Sequence, residues 1–232
     1  MDVEDQSLEI LEGIASRIGV IGGWGVRAHL GDGHNRCTLD VDGVADKDTL
    51  AELRESFASM GLGEKPAEWG IKFFKKYVPR VDIPADAKIA VGGIELRIEI
   101  SPPRIREHDT HHYFEFSLTE FEVREIRYHN IGRSIEVRVP PIEHMAAVKL
   151  GLPADYKHIH DAAMLLVKSD IDKVIQAIKS NDDWAEIVLR RMPKLKGRIK
   201  QPGSIENTLA IVAGLDIRRY IKTLELIEEK IS

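Results

Sequence analysis

The sequence predicts an α/β fold, and three observations predict it. The first 60 residues alternate strand, helix, strand and helix patterns. Residues 94–139 are rich in alternating and β-branched runs, and from Ile142 onward the apolar spacing is helical nearly to the end. A boundary near Pro140-Pro141 therefore divides an α/β core, residues 1–140, from an α-helical C-terminal region, residues 141–232.

The elements follow in order. Leu8, Ile10, Leu11, Ile14 and Ile18 recur at helical spacing, which predicts an amphipathic helix over residues 3–18. Gly19-Val20-Ile21 is a short strand, Gly22-Gly23 a tight turn, and a short helix begins near Trp24. Thr38 to Val44 alternates as a second strand. Asp46 has the position of an N-cap for a helix running to about Met60, which Gly61 and Gly63 end. Trp69, Phe73, Phe74 and Tyr77 recur at helical or mixed spacing and read as core. Four further strands are expected at residues 94–100, 112–117, 122–127 and 134–139, with turns at Gly92-Gly93 and Asn130-Ile131-Gly132. Pro140-Pro141 suits a helix start. Helical breaks fall near residues 151–153, 180–183, 193–203 and 214–216, with PKLKGRIKQPG as a linker and residues 217–231 as an amphipathic last helix.

Composition bounds the function. With 43% hydrophobic and 31% charged residues in 232, the chain is of the soluble globular class. The longest purely apolar run, Ala162 to Val167, is far below the ~20 residues that span a bilayer. The N-terminal MDVEDQSLEI lacks the basic-then-apolar order of a secretory signal, and the single cysteine, Cys37, excludes a disulfide framework or thiolate metal cage. A cytoplasmic setting is expected. A net charge of -5 excludes a surface that is wholly a nucleic-acid footprint, though not a local basic groove.

Asp40-Val41-Asp42 carries the chemistry. Two aspartates two apart in a strand point to one face, about 6.6 Å apart at Cα, and repel unless a cation lies between them. A divalent ion suits that pair, since Mg²⁺ takes one or two carboxylates together with phosphate oxygens and water. Upstream, Gly22-Gly23 lies between strand and helix, where glycines let the backbone approach a phosphate at free helix N–H groups. Arg36 and Thr38 stand just ahead of the strand, so the ordered string is GGW followed by R-x-T-x-D-x-D.

That string resembles the nucleotidyltransferase superfamily with the DNA polymerase β-like fold, and above all its small prokaryotic members, including the AbiEii-type toxin branch. PPIEHMAAVKLG (140–151) followed by HDAAMLL (160–166) is similar to that branch's downstream pattern. The resemblance covers about residues 15 to 168. It implies a mixed sheet flanked by helices and a Mg²⁺-dependent enzyme, with two ions, that moves a nucleoside monophosphate from an NTP to an acceptor hydroxyl. The acceptor would be RNA or tRNA, a protein or a small molecule, and a toxin-like role would add an antitoxin-like protein. The alternative is a catalytically silent domain of the same fold that binds nucleotide or a partner.

Residue by residue, the resemblance implies that Gly22, Gly23, Arg36, Thr38 and Lys149 bind nucleotide, with Lys149 on the triphosphate. Asp40 and Asp42 would ligate Mg²⁺ with a third carboxylate from a neighbouring strand. Glu99, at a strand end before Pro102-Pro103, is the expected one, with Glu95 and Glu115 as alternatives. Asp161 would position a group or accept a proton near the nucleotide, or else cap its helix. The chain departs from the pattern in having Gly23 where many relatives have serine, Glu in the third acidic position, and Met164 where a second downstream acid is usual. Two stretches stay open: His108, His111, His112, His158 and His160 as solvated histidines or a metal site, and Arg190 to Lys200 as a solvated inter-helix loop or an RNA guide.

Overall fold

Leu8, Leu11 and Ile14 form one stripe of helix α1 (Asp2–Ile14), and none of the three is more than 2% exposed. Burying each such side chain contributes roughly 1.5–3 kcal/mol. The helix stops at Ile14, four residues short of the expected end, and a turn leads into β1 (Gly19–Val20). Helix α2 (Gly22–Leu30) starts on the glycine pair itself, not near Trp24. The computed structural model describes residues 2–34, 38–67, 70–77, 94–107, 109–128 and 132–232. They divide into two units, the first holding residues 1–28, 36–103 and 117–139, the second 29–35, 104–116 and 140–232.

The first unit is built on a mixed sheet. Its strands are β1, β2 (Val41–Val44), β3 (Gly63–Ala67), β4 (Gly70–Lys76), β5 (Glu95–Ser101), β8 (Glu122–Tyr128) and β9 (Arg133–Val139). Their order is β3-β4-β5-β2-β1-β9-β8. Strand β2 runs parallel to β5 and antiparallel to β1, and β1 runs parallel to β9. One face is apolar. Val41, Ile98, Ile100, Ile71 and Phe73 join Leu8, Leu11 and Ile14 of α1, Trp24 of α2, and Leu53 and Phe57 of α3 (Lys47–Ser59) in one core. Asp46 caps α3 as expected, its carboxylate accepting from the Thr49 N–H at 2.8 Å.

Two expectations change here. Residues 63–76 form two strands, β3 and β4, where mixed spacing had suggested core aromatics. Phe73 is buried in the core and Phe74 faces the other side of the sheet; Trp69 lies outside the described residues, as do the turns at Gly92-Gly93 and Asn130-Ile131. Strand β2 begins at Val41, not Thr38, because α1 takes the backbone groups that a longer strand would pair. Glu4 Oε1 accepts from the Thr38 N–H at 3.0 Å, and Ser7 Oγ donates to the Leu39 carbonyl at 2.7 Å.

The second unit is mainly helical, with α4 (Ile142–Gly151), α5 (Tyr156–Lys168), α6 (Ile171–Lys179), α7 (Asp182–Lys200), α8 (Ile205–Val212) and α9 (Ile217–Ile231). Pro141 stands at the N-cap of α4, and Asp155, Asp170, Asn181 and Asp216 cap α5, α6, α7 and α9 with their side chains. Trp184 is fully buried: its indole N–H donates to the Ala147 carbonyl at 3.0 Å, and its ring fills the space where a Cβ on Gly151 would come within 2.5 Å. A hairpin of β6 (Arg104–Arg106) and β7 (Tyr113–Glu115) groups with these helices. Arg191 of α7 reaches Glu107 at 2.5 Å and Asp109 at 2.6 Å, and Asn181 donates to the Tyr113 carbonyl at 2.8 Å.

The expected linker PKLKGRIKQPG lies mostly inside α7. Met192, Leu195 and Ile199 stay buried through Pro193, and that apolar stripe outweighs the hydrogen bond the proline removes.

Candidate functional site

In the first unit the site begins where β1 meets α2. Gly22 opens the helix at φ 63°, in the left-handed region that glycine enters without strain. The Ile21 N–H donates to the Asp42 carbonyl at 2.9 Å, which ties this corner to β2. A Cβ on Gly22 would fall 1.9 Å from Asp42 Oδ2, so the aspartate side chain lies directly against the glycine's α-carbon. The helix N-terminus, with its unpaired N–H groups and positive dipole end, thus adjoins a carboxylate. Gly23 is buried in the first turn.

Asp40 and Asp42 do not share a strand. Asp42 lies within β2, and Asp40 is half-buried in the segment just before it. That segment is held by Glu4 and Ser7, two residues that no motif signals. Glu4 also pairs with Arg27 at 2.9 Å, and Ser7 accepts from the Trp24 indole at 3.3 Å. Thr38 is buried, its hydroxyl without a hydrogen-bond partner among the described residues. Arg36 lies outside the described residues.

Glu99 of β5 stands in register beside Asp42, on a parallel neighbouring strand. Both project from the face opposite the core, since Val41, Gly43, Ile98 and Ile100 on either side of them are buried. Lys72 of β4 is in register with Glu99 from the other side, and its ammonium forms an ion pair with the Glu99 carboxylate. Glu95 is four residues from Glu99 on the same face, opposite Lys76. Glu115 pairs with Arg104 in the hairpin of the second unit and is not on the sheet that carries Asp42. Among the described residues, no three His, Cys, Asp or Glu side chains are gathered to hold a metal ion. The chemistry of Asp40 and Asp42 suits one hard divalent ion with phosphate oxygens. Lys72 already supplies a cation at Glu99.

In the second unit, Lys149 of α4 and Asp161 of α5 form an ion pair at 2.9 Å with side chains 4% and 0% exposed. His34 Nε2 lies 3.5 Å from the other oxygen of Asp161. Asp161 sits five residues into α5 and is not its cap, a place taken by Asp155. Burial, and then the charge of Lys149, hold His158 down to a pKa of about 4, so that imidazole is neutral at pH 7. His108 lies outside the described residues. Of the basic run in α7, Arg191 pairs with Glu107 and Asp109, Lys196 with Glu228 and Arg198 with Glu206.

No protein-family model and no curated protein sequence matches the chain. Solved structures do. MenT4, a nucleotidyltransferase toxin from Mycobacterium tuberculosis H37Rv, aligns over 99% of this chain and 82% of its own at TM-score 0.53 and 13% identity. A candidate nucleotidyltransferase from H. pylori aligns over 98% of this chain and 94% of its own at TM-score 0.49 and 15% identity. The antibiotic-resistance factor ANT(2'')-Ia aligns over 76% of this chain and 90% of its own at TM-score 0.49 and 16% identity. The likeness to MenT4, together with the mixed sheet and its flanking helices, shows that the chain has the fold of a nucleotidyltransferase.

Proposed function

We propose that the chain is a Mg²⁺-dependent nucleotidyltransferase that moves a nucleoside monophosphate from an NTP to an acceptor hydroxyl. The junction of Gly22 and Asp42 carries this reading: a helix N-terminus that admits no side chain, pressed against a carboxylate. The N–H groups at Gly22 and Gly23 suit phosphate oxygens. Asp40 and Asp42 would hold Mg²⁺, which when bound supplies positive charge against the phosphates. Glu99 stands next in the row, and Arg36 and Thr38 are assigned to the nucleotide on the resemblance.

The reaction is an in-line displacement. The acceptor oxygen forms a bond to the α-phosphorus, the bond from that phosphorus to the bridging oxygen breaks, and pyrophosphate leaves. The acceptor's proton passes to a nearby carboxylate, and preorganised donors stabilise charge as it develops. Lys149 and Asp161 are proposed for the reaction on the resemblance, as phosphate cation and nucleotide-proximal carboxylate. The acceptor is an RNA or tRNA, a protein or a small molecule. The likeness to a nucleotidyltransferase toxin supports a toxin-like role; a cytoplasmic setting and an antitoxin-like partner are proposed on the sequence and the resemblance. No described helix is long and apolar enough to cross a membrane.

Calorimetric titration of each NTP, with and without Mg²⁺, tests this on the wild type and on Asp42→Asn. Metal-dependent binding that weakens at least tenfold in the variant is expected; no binding by any NTP would sink the reading. One observation favours the silent alternative: the ion pair of Lys72 with Glu99, where a third metal-binding carboxylate was expected. Pyrophosphate release during incubation with NTP and cell extract separates the two.

A further inference from the structure

Three neighbouring strands bring Asp42, Glu99 and Lys72 into one row. Asp42 of β2 is the register partner of Glu99 on β5, and Glu99 is the register partner of Lys72 on β4. Strands lie about 4.8 Å apart, so the middle carboxylate has an acid on one side and an ammonium on the other. Like charges directly opposite one another destabilise a sheet, so Asp42 beside Glu99 calls for a cation. In a three-carboxylate cradle that cation is a metal. Here Lys72 is already on Glu99.

We propose that Lys72 takes the place of a second metal ion, so that the site loads a single divalent ion on Asp40 and Asp42 while Glu99 serves as the counter-ion of Lys72. The inference rests on the metal-dependent reading above and specifies it. Lys72 is placed by the sheet and not by a loop. Its neighbours Ile71 and Phe73 are 6% and 2% exposed, which fixes the direction in which Lys72 projects. The Lys72 and Glu99 side chains are 28% and 24% exposed, more enclosed than the surface pair of Arg54 with Glu64 at 53% and 41%. Lys65, the next residue in the row, lies over the Phe74 ring at 4.3 Å and leaves Glu99 to Lys72. An ammonium is a compact point charge suited to neutralising a carboxylate or a phosphate, but it brings one charge where a second Mg²⁺ would bring two.

Counting bound ions tests this without reference to turnover. Mn²⁺ is titrated into the full chain with a non-hydrolysable analogue of whichever NTP binds, and the signal of free Mn²⁺ is followed by electron paramagnetic resonance. The wild type is expected to take one ion per chain, and the double variant Glu99→Gln with Lys72→Met, which removes both charges together, one ion with affinity within about threefold. Lys72→Met frees Glu99 and is expected to take a second, weaker ion. Lys72→Arg keeps a cation in place and is expected to stay at one. Two ions in the wild type, a tenfold loss of affinity in the double variant, or a single ion in a folded Lys72→Met would each overturn the proposal. A wild type that binds nucleotide but no Mn²⁺ would instead remove Asp40 and Asp42 as a metal site, and this inference with them.

Discussion

The carboxylate of Asp42 occupies the space that a side chain on Gly22 would need: a Cβ there would lie 1.9 Å from Asp42 Oδ2 and 2.7 Å from its Cβ. Gly22→Ala therefore meets two costs, a left-handed φ of about 1–2 kcal/mol and overpacking of about 1–3 kcal/mol. Only the second depends on Asp42. Urea unfolding of the four members of a Gly22→Ala, Asp42→Gly cycle should show the alanine costing at least 1 kcal/mol less where Asp42 is absent. Equal costs in both backgrounds would mean that the two residues do not meet.

The placement of Asp40 depends on helix α1. Glu4 is 7% exposed and accepts the Thr38 N–H while paired with Arg27. Glu4→Ala removes the acceptor of a buried N–H and one of the partners of Arg27, a loss of roughly 1–3 kcal/mol. Glu4→Gln keeps an acceptor and should lose less. If α1 sets the approach of Asp40, Mg²⁺-dependent NTP binding should weaken about tenfold in Glu4→Ala and less in Glu4→Gln. Unchanged affinity in a folded Glu4→Ala protein would confine Glu4 to a stabilising role.

Local signals were legible and long-range ones were not. Asp46 reads as a cap because its side chain bonds three residues ahead, and α9 reads as amphipathic because Ile217, Ile221, Leu224 and Ile227 recur among charged residues; Ile221, Leu224 and Ile227 are buried with Tyr220 and Ile231. The pairing of Lys72 with Glu99 depends on the register between β4 and β5, which nothing at either position encodes. The late start of β2 depends on Glu4 and Ser7, more than 30 residues upstream. In α7 the Lys, Gly and Pro composition suggested a linker, yet burial of Met192, Leu195 and Ile199 decided the conformation. Residues 104–116 group with the helices through Arg191 and Asn181, side-chain contacts that no β pattern announces.

His158 makes the second unit sensitive to acid. Its pKa falls from 6.5 to about 4, first through burial and then through the charge of Lys149. The unfolded chain therefore binds a proton below pH 6.5 that the folded chain refuses until about pH 4. Stability from this residue is complete above pH 6.5 and is lost as pH falls toward 4, by about 3 kcal/mol at most. Unfolding free energies at pH 7.0, 5.5 and 4.5 should drop less steeply in His158→Gln than in the wild type. Parallel profiles would show that His158 titrates normally in the folded protein.

Lys149 and Asp161 face each other from α4 and α5 at 2.9 Å, enclosed almost completely. Removing one partner strands a buried charge, so Lys149→Met or Asp161→Asn alone should cost about 3–5 kcal/mol. Replacing both with apolar side chains removes the two desolvation costs together, so Lys149→Met with Asp161→Leu should return to within about 2 kcal/mol of the wild type. That double variant also separates structure from chemistry. If the pair only joins two helices, the restored protein binds NTP like the wild type. If Lys149 and Asp161 act in the reaction, the double variant folds yet binds NTP at least tenfold more weakly and forms no product, which is the outcome expected here.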